Sequence, residues 1–329
     1  VRLLVAFVGI CILLAGISLW HLWPTWQSAS PQNPATDQTA ALVATVGPES
    51  QSADSHGPTP VAPTEPATTA PAASEPVTWP EDPEQRDASR LLERARATLR
   101  TDPDHEAALR DELSALMRLN RWPEAARTLE RLCRLHADDV NLRFDYAAAL
   151  LRANRPVEAI APLNQIVTQH PEHARAWFNL AVAHQAVGHL DDARRAWDRA
   201  ITLQPTAEAH AQRGVVLLDL HEWAAAAADF EAVLARQPEA ADATLNLALA
   251  LWKLGRPAEA QHRLRALLDR LPQHVPALNR LAAIDWELWR ANPDEYAALR
   301  DEALDCWRRS LEADPHQADI QELLRRATR

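Results

Sequence analysis

ARAWFNLAVAHQAVGHLDDARRAWDRAITLQPT, residues 174–206, holds the pattern from which the rest of the chain can be read. Its apolar residues recur at helical spacing in two short runs, parted at Gly188 and closed by Pro205. Ala-Trp-Phe-Asn-Leu-Ala at 176–181 returns as Ala-Thr-Leu-Asn-Leu-Ala at 243–248, a shift of 67 residues and close to two units of 34. The second runs agree: Asp192-Ala193, Glu158-Ala159, Glu259-Ala260 and Glu124-Ala125 each open an apolar segment that ends near a Pro or acidic turn. Self-similarity at such a period marks an array of helical hairpins.

Extending the period outward gives units at 106–139, 140–173, 174–206, 207–240 and 241–274, with turn prolines at Pro171, Pro205, Pro238 and Pro272. The unit 174–206 is one residue short. A last unit, 275–316, carries about nine extra residues around Arg290-Ala291-Asn292-Pro293, with helices expected at 276–289 and from Asp294 to Ala313. Helical caps are expected at 84–100 and 318–328. A hairpin with one apolar face can bury it only against the next hairpin, so several units and polar-faced ends are required. Small residues, Ala147, Ala181, Gly214, Ala248 and Ala282 on first helices and Ala125, Ala159, Ala193, Ala226 and Ala260 on second helices, allow close approach. Leu129, Leu163, Trp197, Phe230 and Leu264 fill the complementary spaces.

With Trp177, Leu180, Ala181, Gly188, Ala193, Trp197, Ala200 and Pro205 in the expected places, the chain resembles the tetratricopeptide repeat (TPR) family over about three quarters of its length. The resemblance implies an all-α fold: a right-handed α-solenoid of helix-turn-helix units over 83–329. It also implies that the first helices line a concave groove for a protein or peptide partner. Projected onto that pattern, the groove includes Phe144, Phe178, Val182, Leu245, Leu249, Trp252 and Trp286. Arg110, Arg152 and Arg175 add positive charge, and Asn179 and Asn246 stand where amides in relatives bond a peptide backbone.

Ahead of the repeats the composition changes. Of 34 Lys and Arg, none lies between Arg2 and Arg86, and the net charge of −11 divides into −6 for residues 1–82 and −5 for the remainder. Leu3 to Trp20 is uncharged and long enough to cross a hydrocarbon core of roughly 30 Å as a helix. With Trp20, Trp23 and Trp26 at its end, residues 1–26 are expected to form a transmembrane signal-anchor, with the amino terminus cytoplasmic and the solenoid periplasmic or extracytoplasmic. A cleaved signal peptide is the competing reading, but its apolar region is usually only about 7–15 residues. Residues 27–82, rich in Pro, Ala, Thr and Ser, are expected to form a disordered linker.

Chemistry is poorly represented. No Gly-x-Ser-x-Gly elbow, phosphate loop or dinucleotide fingerprint occurs. The three cysteines, Cys11, Cys133 and Cys306, form no C-x-x-C pair and suit apolar packing. His170 and His173 flank Pro171, and with His136 or His184 they could be pictured as ligands, but turn histidines are ordinarily solvated; His189 and His221 at bends are read the same way. The region from 83 on holds 33 basic and 38 acidic residues without a clustered basic face, which disfavours nucleic acid. No metal, small-molecule cofactor or catalytic residue is assigned. The expectation is a non-enzymatic, membrane-anchored scaffold for envelope assembly or protein maturation; the alternative is a regulatory subunit of an envelope glycan or cell-wall enzyme.

Overall fold

The computed structural model describes residues 83–328, which divide into two compact units, 83–155 and 156–328. The first unit holds α1 (Pro83–Thr101), α2 (Glu106–Arg118), α3 (Trp122–Leu135) and α4 (Val140–Arg152). The second holds α5 (Pro156–Gln169), α6 (Ala174–Ala186), α7 (Leu190–Leu203), α8 (Ala207–Asp219), α9 (Trp223–Arg236), α10 (Ala241–Lys253), α11 (Pro257–Arg270), α12 (Val275–Ala291), α13 (Ala297–Ala313) and α14 (Ala318–Ala327). Among the described residues there is no strand. Within each unit every helix packs on its chain neighbours, and in the second α10 also touches α8 and α12.

The membrane-spanning helix expected at 1–26 and the linker at 27–82 lie outside the described residues. Among the described residues no helix is long and apolar enough to cross a membrane: only α1, with 19 residues, is long enough, and it carries charges throughout. This finding corrects the expected single-pass inner-membrane localisation; the membrane as a partner rests on residues 1–26, outside the described region.

Five of the hairpins turn by one device. Asn120, Asn154, Gly188, His221 and Gly255, spaced by 34, 34, 33 and 34 residues, have φ of 55°, 56°, 79°, 61° and 72°. The residue after each sends its N–H back to a carbonyl in the last turn of the preceding helix, as in Arg121 to Leu116 at 2.9 Å and His189 to His184 at 2.9 Å. The left-handed residue bonds a second carbonyl, Asn120 to Met117 and Gly188 to Gln185. This is the Schellman termination, which satisfies carbonyls orphaned at a helix end. Glycine and asparagine tolerate the conformation, whereas histidine carries the Cβ penalty.

The opposite ends of the hairpins are capped. His105, Asp139, His173, Thr206 and His274 precede α2, α4, α6, α8 and α12, and each side chain accepts an N–H from the first turn. The three histidines use Nδ1, at 3.1–3.3 Å from Ala108, Ala176 and Ala277. Ala240, before α10, occupies the same place and supplies no cap. In 275–316 the extra residues are absorbed largely by lengthening: α12 and α13 have 17 residues each, against 13 for α10 and 14 for α11.

The ten small residues at the helix contacts are all buried, as are Leu129, Leu163, Trp197, Phe230 and Leu264. Gly214 shows why size matters: a Cβ there would stand 2.8 Å from Cζ of Phe230. Gly214→Ala is expected to cost about 1–3 kcal/mol in denaturant unfolding, and Phe230→Leu in the same chain should return most of it, since Leu264 serves where the first helix has Ala248. Ala240→Asp, which supplies the missing cap, should stabilise by about 1 kcal/mol in the same measurement.

Candidate functional site

In the second unit the first helices of successive hairpins present equivalent positions side by side. One row runs Leu218, Trp252 and Trp286 on α8, α10 and α12, and the row one turn earlier has Val215 and Leu249. All five are half-buried, and Val215, Leu218, Trp252 and Trp286 lean on the apolar core beneath. Around them stand Gln212, Asn246 and Arg280; the Arg280 Nη1 donates to the carbonyl of Leu245 at 2.8 Å, which ties α12 to α10. The surface is thus a band of apolar side chains edged with amides and cations.

The residues expected in a groove divide between the two units. Arg110, Phe144 and Arg152 belong to the first, where Arg110 is exposed and ion-paired to Glu106, Phe144 is buried, and the Arg152 guanidinium lies 4.6 Å from the Trp122 ring centroid. In the second unit Arg175, Phe178, Asn246, Leu249, Trp252 and Trp286 keep exposed surface, while Asn179, Val182 and Leu245 are buried. Those three and Phe144 keep almost no exposed surface. Phe178 meets Trp197 edge-to-face at 4.7 Å, joining α6 to α7. Asn179 is fully buried and neither amide atom has a hydrogen-bond partner.

Several polar groups lie deep in the second unit. Asp229 is buried but satisfied, accepting bonds from Arg213 Nε at 2.7 Å and Nη2 at 2.6 Å, with His210 Nδ1 at 2.8 Å. Asp285, next to Trp286, is fully buried and less well served. Its Oδ1 accepts from Gln261 Nε2 at 2.6 Å, Oδ2 has no hydrogen-bond partner, and Arg265 stays 3.9 Å away. Burial pushes its carboxyl up to about 6, against the lowering influence of Gln261 and Arg265. Burial likewise raises the Cys133 and Cys306 thiols to about 11.

The histidines have roles that sequence spacing did not reveal. His173 caps α6 rather than pairing with His170, whose Nδ1 lies 3.6 Å from Glu172. Among the described residues one set of potential metal ligands converges, His184, His189 and Asp192, around the Gly188 turn. Spacing alone pictures His184 only beside His170 and His173, and reads His189 as a solvated side chain at a bend. The signal that could have found them was a comparison of each turn with its counterparts 34 residues away.

Family models described as Tetratricopeptide repeat match residues 110–171, 211–260 and 245–288, and a second model of the same description matches 150–213. Together they span more than half of the chain, which belongs to the tetratricopeptide repeat family. Proteins of this family generally act through contacts with other proteins and are typically non-catalytic. Among solved structures, YrrB, titled as a TPR protein with an unusual peptide-binding site, is similar with a TM-score of 0.52 and 16% identity, covering 60% of this chain and 98% of its own. MamA from Desulfovibrio magneticus RS-1 gives 0.48 and 20%, covering 55% and 98%, and a tetratricopeptide repeat protein from Parabacteroides merdae gives 0.47 and 13%, covering 75% and 94%. No curated protein matches the chain.

The raised Asp285 carboxyl carries a pH signature. A carboxyl held at about 6 when folded, against an ordinary 3.8, binds protons on folding between those values. Its stabilisation is therefore complete below 3.8 and is lost as pH rises through about 6. Asp285→Asn, which keeps an acceptor for Gln261, is expected to raise stability by on the order of 2 kcal/mol at pH 8 and by much less at pH 4, measured by thermal unfolding at both values.

Proposed function

We propose that the chain is a non-enzymatic scaffold that holds a protein or peptide partner against the first-helix surface of its second unit. The observation that carries this reading is the row Leu218, Trp252 and Trp286, with Val215 and Leu249 beside it, left half-exposed on three adjoining helices. Buried apolar side chains of the array have neighbours on every side, whereas these keep an open face. Tryptophans of this kind supply large contact area at low conformational cost and dominate binding energy where they occur. The flanking Asn246 and Gln212 offer hydrogen bonds to a peptide backbone. YrrB, of the same fold, is titled for a peptide-binding site, and this proposal extends that class of ligand to the present chain.

The test is selection of binding peptides from a displayed library on the intact chain, followed by affinity measurement with variants. Trp252→Ala and Leu218→Ala are each expected to weaken the selected peptides by about tenfold or more, near 1.4 kcal/mol, with helicity unchanged by circular dichroism. Peptides that bind both variants as tightly as the parent would place the contact elsewhere and overturn the reading.

A further inference from the structure

The hairpin formed by α6 and α7 differs from its siblings at one corner. Four residues before the left-handed residue, the other four hairpin turns place Leu116, Leu150, Leu217 and Leu251, all buried; here the residue is His184. Directly after the left-handed residue stand Arg121, Arg155, Glu222 and Arg256; here it is His189. Three positions further on are Glu124, Glu158, Ala225 and Glu259; here it is Asp192. Arg121 and Glu124 are 2.6 Å apart, and Arg256 and Glu259 are 2.5 Å apart. Where those siblings have a leucine and an ion pair, this turn has two imidazoles and a carboxylate.

These three side chains are brought together. One ligand atom from each lies within 4.8 Å of the other two, and the imidazole centroids are 5.8 Å apart. His184 Nδ1 is buried without a hydrogen-bond partner. His189 precedes α7 but caps nothing, whereas His105, His173 and His274 spend Nδ1 on a helix N–H. Arg195 bonds Oδ1 of Asp192, and a carboxylate has a second oxygen to offer.

We propose that His184, His189 and Asp192 form a binding site for a divalent transition-metal cation of the zinc class. Two imidazoles with one carboxylate is a donor set that suits such borderline ions and not magnesium or calcium, which require mostly oxygen. Ligands about 2.0–2.1 Å from a tetrahedral ion lie about 3.4 Å from one another, so side-chain rotation of His189 and Asp192, both on the surface, closes the remaining gap. The ion would join the last turn of α6 to the first turn of α7 across Gly188, clipping the hairpin. Three protein ligands leave a fourth position for water or a partner's side chain.

Zinc chloride titrated calorimetrically into the intact, chelator-stripped chain tests this directly. One ion per chain is expected to bind and to raise the unfolding temperature. His184→Leu and His189→Arg install residues that sibling turns already carry, so folding should survive. Each should weaken zinc binding by at least about 10- to 100-fold, with helicity unchanged and no change in unfolding temperature on adding zinc. The chain has 13 histidines, so a control at a distant one, His136→Gln, should bind as the parent does. Absence of stoichiometric binding to the parent, or equal affinity in both site variants, would overturn the site.

Discussion

Close approach of two helices governs this architecture. Helix axes can come within about 8–10 Å only where the facing side chains allow it, and here alanine or glycine on one helix receives a large residue from the other. Gly214 under the Phe230 ring is the tightest case, because even one methyl group would collide. With the contacts set in this way, each hairpin offers an apolar face that only its neighbour can cover, and the core of each unit grows hairpin by hairpin. The half-exposed band on α8, α10 and α12 is a by-product of the same geometry: first helices adjoin one another, and what points away from the second helices keeps an open face.

The two kinds of turn solve opposite problems. Where a first helix ends, spare carbonyls are satisfied by a left-handed residue and two backbone bonds, so the demand falls on backbone conformation and is met by Asn, Gly or, at a cost, His221. Where a first helix begins, spare N–H groups need a side-chain acceptor, and Asp139, Thr206 and three histidines provide one. A histidine caps in this way through the lone pair of Nδ1.

Polar residues at packing positions separate into satisfied and unsatisfied cases. Asp229 is held by Arg213 and His210, and Glu112 accepts from Thr128 at 3.0 Å and Arg96 at 3.2 Å. Asn179, Asp285 and His184 each retain a buried atom with no hydrogen-bond partner. Such groups cost stability, and an array otherwise built from Ala and Leu has no packing need for them. His184, in a place where siblings carry leucine, has two further metal-ligating groups within reach, which distinguishes it from the other two.

Residue identity alone establishes the repeat, the helix pairs, the close-packed Ala and Gly positions and the family, because these depend on periodicity and size, which a linear sequence displays. The lengths of α12 and α13 were blurred, since nothing local says whether extra residues extend a helix or leave it as a loop. The exposure of the expected groove residues was only partly readable. Trp252, Trp286 and Leu249 keep an open face, but Phe144, Asn179, Val182 and Leu245 are buried, because which side of a first helix meets the next one depends on how the hairpins stack. The convergence of His184, His189 and Asp192 is likewise decided in three dimensions: a chain reversal at Gly188 is what brings the end of one helix and the start of the next within bonding reach.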